Sequence, residues 1–276
     1  MRRKKPVRLL RLLALGLIAV WSAGPILVLL LASLKTSRDI FVWPPELLSR
    51  PTLINYVHLW TRWPEFFQDL ANSAAIAAGA TLLTVAVATS AGYVYARYRT
   101  RTLTASALFM ILLRMLPPIV ISLPLFPVVN ALGLNDTWTV LILLYSAFFV
   151  SLGTWIMKTT IDQIPVELDE AARVDGAGSL QILWRIITPL GAQGMIAAGV
   201  FVLVYAWNEF LFAFLFTTKA AKTAPLALSE MISSVELSDW GVLFAAATVQ
   251  LLPVLLVVLL AQKYLIAGLT AGAVKG

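Results

Sequence analysis

Two charged side chains, Arg114 and Glu209, interrupt apolar stretches that are otherwise long enough to cross a membrane. An ionisable group at membrane depth is costly unless it meets water or a partner, so such groups often mark a path for an ion or a substrate. The alternative is a structural role in helix packing, and both interpretations remain open for Arg114, Asn208 and Glu209. Arg114 lies about 15 Å and Glu209 about 30 Å from the start of its span, which argues against a direct pair.

Motifs for catalysis and for ATP binding are absent from the sequence. It contains no Gly-x4-Gly-Lys-Ser/Thr phosphate loop, no Gly-x-Ser-x-Gly elbow and no cysteine. The single histidine, His58, excludes a His-Glu-x2-His zinc motif and is interpreted as a surface or packing residue. We therefore predict no metal site, no cofactor in this chain and no enzymatic activity.

The segment 162–189 carries most of the informative polar residues. Pro165 suits the first position of a helix, where its missing N–H is not needed. Three acidic residues follow in the early turns, where the helix dipole favours negative charge. Gly176 suits a left-handed residue that ends the helix, and Ser179 could cap a second one. One apolar face at helical spacing is predicted for the second helix, formed by Leu180, Leu183, Trp184 and Ile187.

Composition indicates that the elements carrying these residues lie in a bilayer. Hydrophobic residues make up 60% and charged residues 13% of the 276 positions, whereas a soluble domain has about 45–50% and about 25%. A spanning helix needs about 20 apolar residues. We predict an all-α integral membrane protein with six transmembrane helices, at about 12–34, 72–96, 104–128, 137–157, 189–216 and 241–262.

Local signals add detail to these spans. The four prolines at 117, 118, 124 and 127 are predicted to break the outer half of the third span, either as a gate or as a simple kink. A short interfacial helix is predicted near 53–69 in the long loop after the first span. Residues 1–11 form a basic tail, and 12–276 form the transmembrane domain with its core at 72–262.

The basic residues are distributed unequally between the two sides of the predicted spans. Fourteen of the 21 Lys and Arg residues fall in the two termini and in the loops after spans two and four. Because positive charge concentrates in cytoplasmic loops, both termini are predicted to be cytoplasmic. The net charge of +7 therefore indicates orientation and not nucleic-acid binding. A 23-residue apolar run without an Ala-x-Ala site favours a retained anchor over a cleaved signal peptide.

The segment 162–189 resembles the coupling signature of the membrane subunits of bacterial ABC importers. That signature reads Glu-Ala-Ala, three residues, Gly, nine residues, Ile-x-Leu-Pro. The matching residues are Glu170, Ala171, Ala172, Gly176, Ile186 and Pro189. Thr188 stands where the signature has Leu, a departure expected to affect only packing at the foot of span five. Residues 207–210 (Trp-Asn-Glu-Phe) and 267–276 are similar to the second permease subunit of the maltose-type, carbohydrate-uptake branch.

This resemblance implies a non-catalytic subunit of an ATP-driven importer for a sugar, sugar derivative or polyol in the bacterial cytoplasmic membrane. The implied partners are a second permease subunit, a homodimer of ATPase subunits holding ATP and Mg, and an extracytoplasmic sugar-binding protein that faces the loop 217–240. A helix at about 165–177 is expected to dock in the ATPase. The residues expected to couple the two are Glu170, Ala171, Ala172, Asp175, Gly176, Ile186 and Pro189. The tail residues expected to contact the ATPase are Leu269, Thr270, Gly272, Lys275 and Gly276.

Other functions remain as alternatives. A stand-alone, ion-coupled secondary carrier would use Glu209, although carriers of that kind often bury several acids. If Arg114 faced the path, it would favour an anionic sugar. From the residues alone, the acidic helix could also simply lie on the membrane surface. An integral-membrane enzyme has no catalytic constellation in its favour.

Overall fold

The computed structural model describes the backbone of residues 5–44, 50–234 and 239–271, and the side chains of residues 11–44, 50–233 and 239–262. Within those ranges the regular structure is helical, and no strand is present. The first seven helices are α1 (Lys5–Ser33), α2 (Ser37–Ile40), α3 (Ile54–Arg62), α4 (Glu65–Arg97), α5 (Arg101–Met115), α6 (Pro118–Ala131) and α7 (Trp138–Ile161). The remainder are α8 (Glu167–Val174), α9 (Ser179–Ile182), a π-turn (Leu183–Ile187), α10 (Thr188–Leu190), α11 (Ala192–Trp207), α12 (Leu211–Phe216), α13 (Ala224–Ser234) and α14 (Trp240–Ala271).

Four of these helices are long and apolar enough to cross a membrane, and two bent helix pairs raise the number to six if each pair is one span. The four are Arg11–Ser33, Glu65–Arg97, Trp138–Ile161 and Trp240–Gln262. They coincide with the predicted spans one, two, four and six. The helix predicted near 53–69 is α3, and its last residues instead belong to the start of α4.

The third predicted span is broken, as its prolines suggested. Helices α5 and α6 meet at 94°, and the break lies at Leu116 and Pro117. Both residues precede a proline and adopt extended backbone, with ψ of 133°, because the following ring disfavours the helical conformation. Pro124 and Pro127 do not break the chain and lie inside α6.

The fifth predicted span, 189–216, is wrong in its boundaries. Pro189 belongs to the short helix α10, and the chain turns by 78° at Gly191 before α11 begins. At the other end α11 stops at Trp207, and residues 208–210 separate it from α12. The first break lies two residues after Pro189, a residue typical of a helix start or kink, and the second contains Glu209.

The chain divides into two compact units, residues 1–67 with 228–252 and residues 68–227 with 253–276. In unit 1, the buried side chain of Asn55 donates hydrogen bonds to the carbonyl oxygens of Ser33 and Lys35 at 2.8 and 2.7 Å. These contacts satisfy the carbonyl of the last residue of α1 and one in the turn that follows it. Arg62 and Asp239 form an exposed ion pair in the same unit.

Unit 2 is built around α7. Its buried residues pack against α4, α6, α11, α12 and α13, and the fully buried ring of Tyr145 lies among them. Helix α4 crosses α7 very closely at Gly92. A Cβ added there would lie 2.7 Å from the Cβ of Met157 and 2.9 Å from the backbone nitrogen of Lys158. Close crossings at small residues are typical of helices that pack within a membrane.

Candidate functional site

Helix α8 carries the predicted coupling residues, and it begins later than expected. It spans Glu167–Val174, with Val166 as its N-cap. Pro165 was predicted to be the first helical residue but lies two residues before it, where its carbonyl accepts a hydrogen bond from the N–H of Leu168. Three acidic residues do occupy the first turn, in the place where the helix dipole stabilises them.

A buried ion pair between Arg97 and Asp169 fixes α8 to the end of α4. The guanidinium donates two hydrogen bonds to the Asp169 carboxylate, at 3.0 and 3.3 Å. It donates two more to the carbonyl oxygens of Ile161 and Ile164, at 3.2 and 3.0 Å. The side chains of Arg97 and Asp169 are only 6% and 0% exposed. One guanidinium thus joins the ends of α4 and α7 to the first turn of α8.

The opposite face of α8 is open. Glu170, Ala171 and Arg173 are exposed, and Val174 is 88% exposed. Ala172, in contrast, is half-buried and packs against the core cluster beneath the helix. Of the two alanines expected to allow close approach by a partner, only Ala171 points outward.

Gly176 ends the helix as predicted. Its φ is +86°, a conformation that glycine adopts without steric cost. The exposed Asp175 precedes it as the C-cap of α8. The cap of the next helix was predicted wrongly, because Gly178 and not Ser179 is the N-cap of α9. The Gly178 N–H donates to the Gln181 side chain at 3.0 Å.

The predicted apolar face of the second helix is also wrong in part. Leu183 and Ile187 are buried as expected, but Leu180 and Trp184 are 72% and 56% exposed. The packed face is rotated toward Ile182, and Leu183–Ile187 forms a π-turn. Ile182 takes a buried position instead, while Ile186 is half-buried and Pro189 is exposed.

The π-turn also gives Thr188 a structural role. Its hydroxyl donates a 2.8 Å hydrogen bond to the carbonyl oxygen of Leu183, five residues earlier. The leucine of the coupling signature has no hydroxyl for this bond. The departure at Thr188 therefore affects hydrogen bonding and not packing alone.

Asn208 and Glu209 form the link between α11 and α12. The Glu209 carboxylate accepts hydrogen bonds from the backbone N–H of Phe212, at 3.0 and 3.1 Å, and of Ala213, at 3.4 Å. Asn208 is exposed, and its amide donates to the Val204 carbonyl oxygen at 2.8 Å. Both side chains thus satisfy helix ends, which is the structural alternative for these residues.

Arg114 lies at the end of α5, exposed beside a groove of unit 2. Among the described residues it forms no ion pair, with Glu209 or with any other acid. The different depths of Arg114 and Glu209 in their spans predicted that the two do not pair directly, and the structure shows no such pair.

Asp136 holds the segment 218–221 through several hydrogen bonds, and this contact was not identified from the sequence. Asp136 has a φ of +57°, and its carboxylate accepts hydrogen bonds from the four consecutive amides of residues 218–221 at 2.9–3.1 Å. The Thr218 hydroxyl also donates to it, at 2.9 Å. Burial alone raises the pKa of Asp136, but the backbone donors at Ala220, Ala221 and Thr218 outweigh it, so the pKa lies well below the usual value.

The remaining predicted residues lie partly outside the described part of the chain. Leu269 and Thr270 belong to α14, but their side chains are outside the described ranges. Gly272, Lys275 and Gly276 are outside the described residues altogether. His58 is half-buried. Among the described side chains, no group of three or more acidic or histidine residues lies close enough together to bind a metal ion.

The fold and helix α8 indicate the class of protein to which the chain belongs. A helical chain with four to six apolar candidate spans and an exposed acidic helix held to its core by a buried ion pair has the features of an integral membrane protein. Comparison with known proteins gives the family. The chain belongs to the family described as "Binding-protein-dependent transport system inner membrane component", which matches residues 88–270.

Individual relatives cover nearly the whole chain. It is 33% identical to the "Trehalose/maltose transport system permease protein MalG" of Thermococcus litoralis, over 100% of both chains. It is 36% identical to the "Trehalose transport system permease protein SugB" of Mycobacterium tuberculosis, over 94% of this chain and 95% of the relative. A solved bacterial ABC transporter that imports the acidic polysaccharide alginate has the same fold, with a TM-score of 0.80, 19% identity and coverage of 96% and 98%.

Proposed function

We propose that this chain is the transmembrane subunit of an ATP-driven sugar importer and forms half of its translocation path. The relatives named above are permeases of trehalose or maltose systems, which supports a sugar as the substrate class. The observation that carries the proposal is helix α8, which is clamped to the core through Asp169 while it presents Glu170 and Ala171 outward.

In the proposed topology each bent helix pair counts as one span, so the chain crosses the membrane six times. Both termini face the cytoplasm, as the distribution of basic residues supports. The loop that carries α8 then lies in the cytoplasm, and Asp136 with residues 218–221 lies on the outer side. The membrane is proposed to be the bacterial cytoplasmic membrane.

Helix α8 is proposed to dock on an ATPase subunit, which holds ATP and Mg. Glu170 supplies a carboxylate for a basic group of that partner, Ala171 permits close approach, and Gly176 makes the turn into α9. The buried Arg97 is proposed to hold α8 rigidly against the ends of α4 and α7. A movement imposed on α8 at Glu170 would then displace α4 and α7 together. Ala172 acts from the inner face, where it packs beneath α8.

A second permease subunit completes the path, and an extracytoplasmic sugar-binding protein is proposed to meet the loop 217–240. The ion-coupled carrier is not favoured, because the family uses a binding protein and because Glu209 is occupied as a helix cap. The hydrogen bonds that its carboxylate accepts from α12 account for an acidic residue at this place without any role in ion transport.

The proposal is tested with the whole complex in proteoliposomes, supplied with binding protein, ATP and Mg, with uptake of labelled trehalose or maltose and ATP hydrolysis measured together. Glu170→Lys is expected to abolish uptake while the chain stays in the membrane. Glu167→Lys is the matched control, with the same exposed charge reversed on the same helix, and is expected to retain uptake. Equal uptake in the two variants would contradict the role of Glu170. Uptake by the chain alone with an ion gradient would instead support a carrier.

The turn at Gly176 offers a second test with an internal control. Gly176→Ala places a side chain at a φ of +86°, whereas Gly178→Ala does so at −75°, and an added Cβ meets no atom within 4 Å at either site. Any difference between the two variants therefore reports backbone strain alone. We expect only Gly176→Ala to lower the uptake obtained per ATP hydrolysed.

A further inference from the structure

A groove of about 300 Å³ opens on unit 2 between α5, α6, α7 and α12. Its walls are mainly apolar, and the side chains that shape it are Leu113, Leu125, Leu144, Phe148 and Phe212. Such a surface favours an apolar occupant, because polar groups placed against it would lack hydrogen-bond partners.

Two polar groups in this groove lack partners. Arg114 lines it about 20 Å along α5 from Arg101 and forms no hydrogen bond or ion pair among the described residues. Ser151 lines it from α7, is only 7% exposed, and its hydroxyl has no hydrogen-bond partner in the described part of the chain. A charged group within a span is expected to meet water or a partner, and no acidic side chain in the described ranges pairs with Arg114.

The two groups together define the chemistry of the missing partner. A guanidinium and a hydroxyl can both donate to the oxygens of one carboxylate. The apolar walls require that this carboxylate arrive on an apolar body that fills a groove between helices. A transmembrane helix with one acidic side chain has both properties.

We propose that the groove receives a transmembrane helix of the second permease subunit, and that an acidic side chain of that helix pairs with Arg114. The inference rests on the proposed function, which supplies the second subunit. A free sugar fits the groove less well, because its many hydroxyls would need polar partners and the walls offer only two polar side chains. The pair makes Arg114 a determinant of assembly and not a substrate-binding residue.

The experiment measures how much second permease co-purifies with the tagged chain after co-expression of the whole transporter. Arg114→Asp and Arg114→Leu are expected to lower the recovered second subunit about 30-fold or more, the loss typical when one partner of a buried charge pair is removed. The Leu variant is essential, because it makes the span more apolar and so excludes failed membrane insertion as the cause. Arg101→Asp, at the start of the same helix, is the matched control and is expected to leave recovery unchanged.

A charge-reversal scan then identifies the partner. In the Arg114→Asp background, each acidic residue within the spans of the second permease is replaced in turn by Arg, and one replacement is expected to restore recovery. Full recovery with Arg114→Leu overturns the proposal. Loss that no replacement restores also overturns it and indicates an anion outside the protein, such as a lipid phosphate. Normal assembly with loss of uptake restricted to acidic sugars overturns it in favour of a substrate site. If the unaltered chain recovers no second permease, the proposed function itself fails.

Discussion

Replacing Arg97 by Ala should detach helix α8 from the core of unit 2. The substitution removes four hydrogen bonds, two of them to Asp169, and leaves that carboxylate buried, with 0% exposure and without its counter-ion. Breaking one partner of a buried pair costs about 3–5 kcal/mol. Because each 1.4 kcal/mol is a factor of ten, undocking of α8 should become roughly 100- to 4,000-fold more frequent.

Hydrogen exchange measures this directly, since an amide in α8 exchanges through local opening. The amides of Leu168–Val174 should lose protection by about that factor in Arg97→Ala, while the middle of α7 is unaffected. The matched control is Lys158→Ala, which breaks the 2.6 Å ion pair with Asp162 in the same region. Those two side chains are 29% and 40% exposed, and pairs of this kind contribute about 0–1 kcal/mol.

Unchanged protection of α8 in Arg97→Ala, or an equal effect of Lys158→Ala, would show that the buried ion pair does not hold α8 in place. A double variant, Arg97→Met with Asp169→Leu, separates charge from packing. Replacing both members of a buried pair by apolar residues is often neutral or stabilising. The double variant should therefore protect α8 better than Arg97→Ala does.

Three further predictions concern other parts of the chain. Because the lowered pKa of Asp136 means that its carboxylate stabilises the fold when ionised, its contribution should be complete above about pH 4 and decline as the pH falls below the unfolded value. The difference in thermal stability between the native chain and Asp136→Asn should therefore stay constant from pH 7 to 5 and shrink below about pH 4; a difference that grows at low pH would contradict this. Gly92→Ala should lower the free energy of unfolding by about 1–3 kcal/mol through overpacking, whereas Gly16→Ala, with no atom within 4 Å of the added Cβ, should not, as thermal unfolding in detergent would measure. Glu209→Gln should keep ATP-driven uptake because an amide oxygen can still cap α12, and Glu209→Leu should lose the cap at a cost of about 1 kcal/mol; loss of uptake with Gln would instead indicate a need for the charge.

Four of the spans and the break at Pro117 could be predicted because their signals are local. Long runs without charge define the helices, and a proline restricts the residue before it. Gly176 was equally predictable, since the turn it makes depends on its own φ. The residues proposed to couple the chain to an ATPase could be placed from their spacing in one continuous segment.

The clamp between Arg97 and Asp169 could not be predicted in the same way. The two residues are 72 positions apart. In the sequence, Arg97 stands among basic loop residues and Asp169 in the first turn of a helix, and charged residues in such places are usually exposed. The exposed positions of Leu180 and Trp184 were missed because the spacing of apolar residues shows which side chains share a face, and not which part of that face packs against the core.

The anchor at Asp136 has a consequence for how this region can change in length. Four successive amides at 218–221 reach one carboxylate, so an inserted or deleted residue among them would carry at least one donor out of range. Related proteins that keep this aspartate are expected to keep the length of that segment, even where its side chains differ freely. For anyone placing an epitope or a fluorophore on the transporter, residues 218–221 are accordingly a poor choice of insertion point.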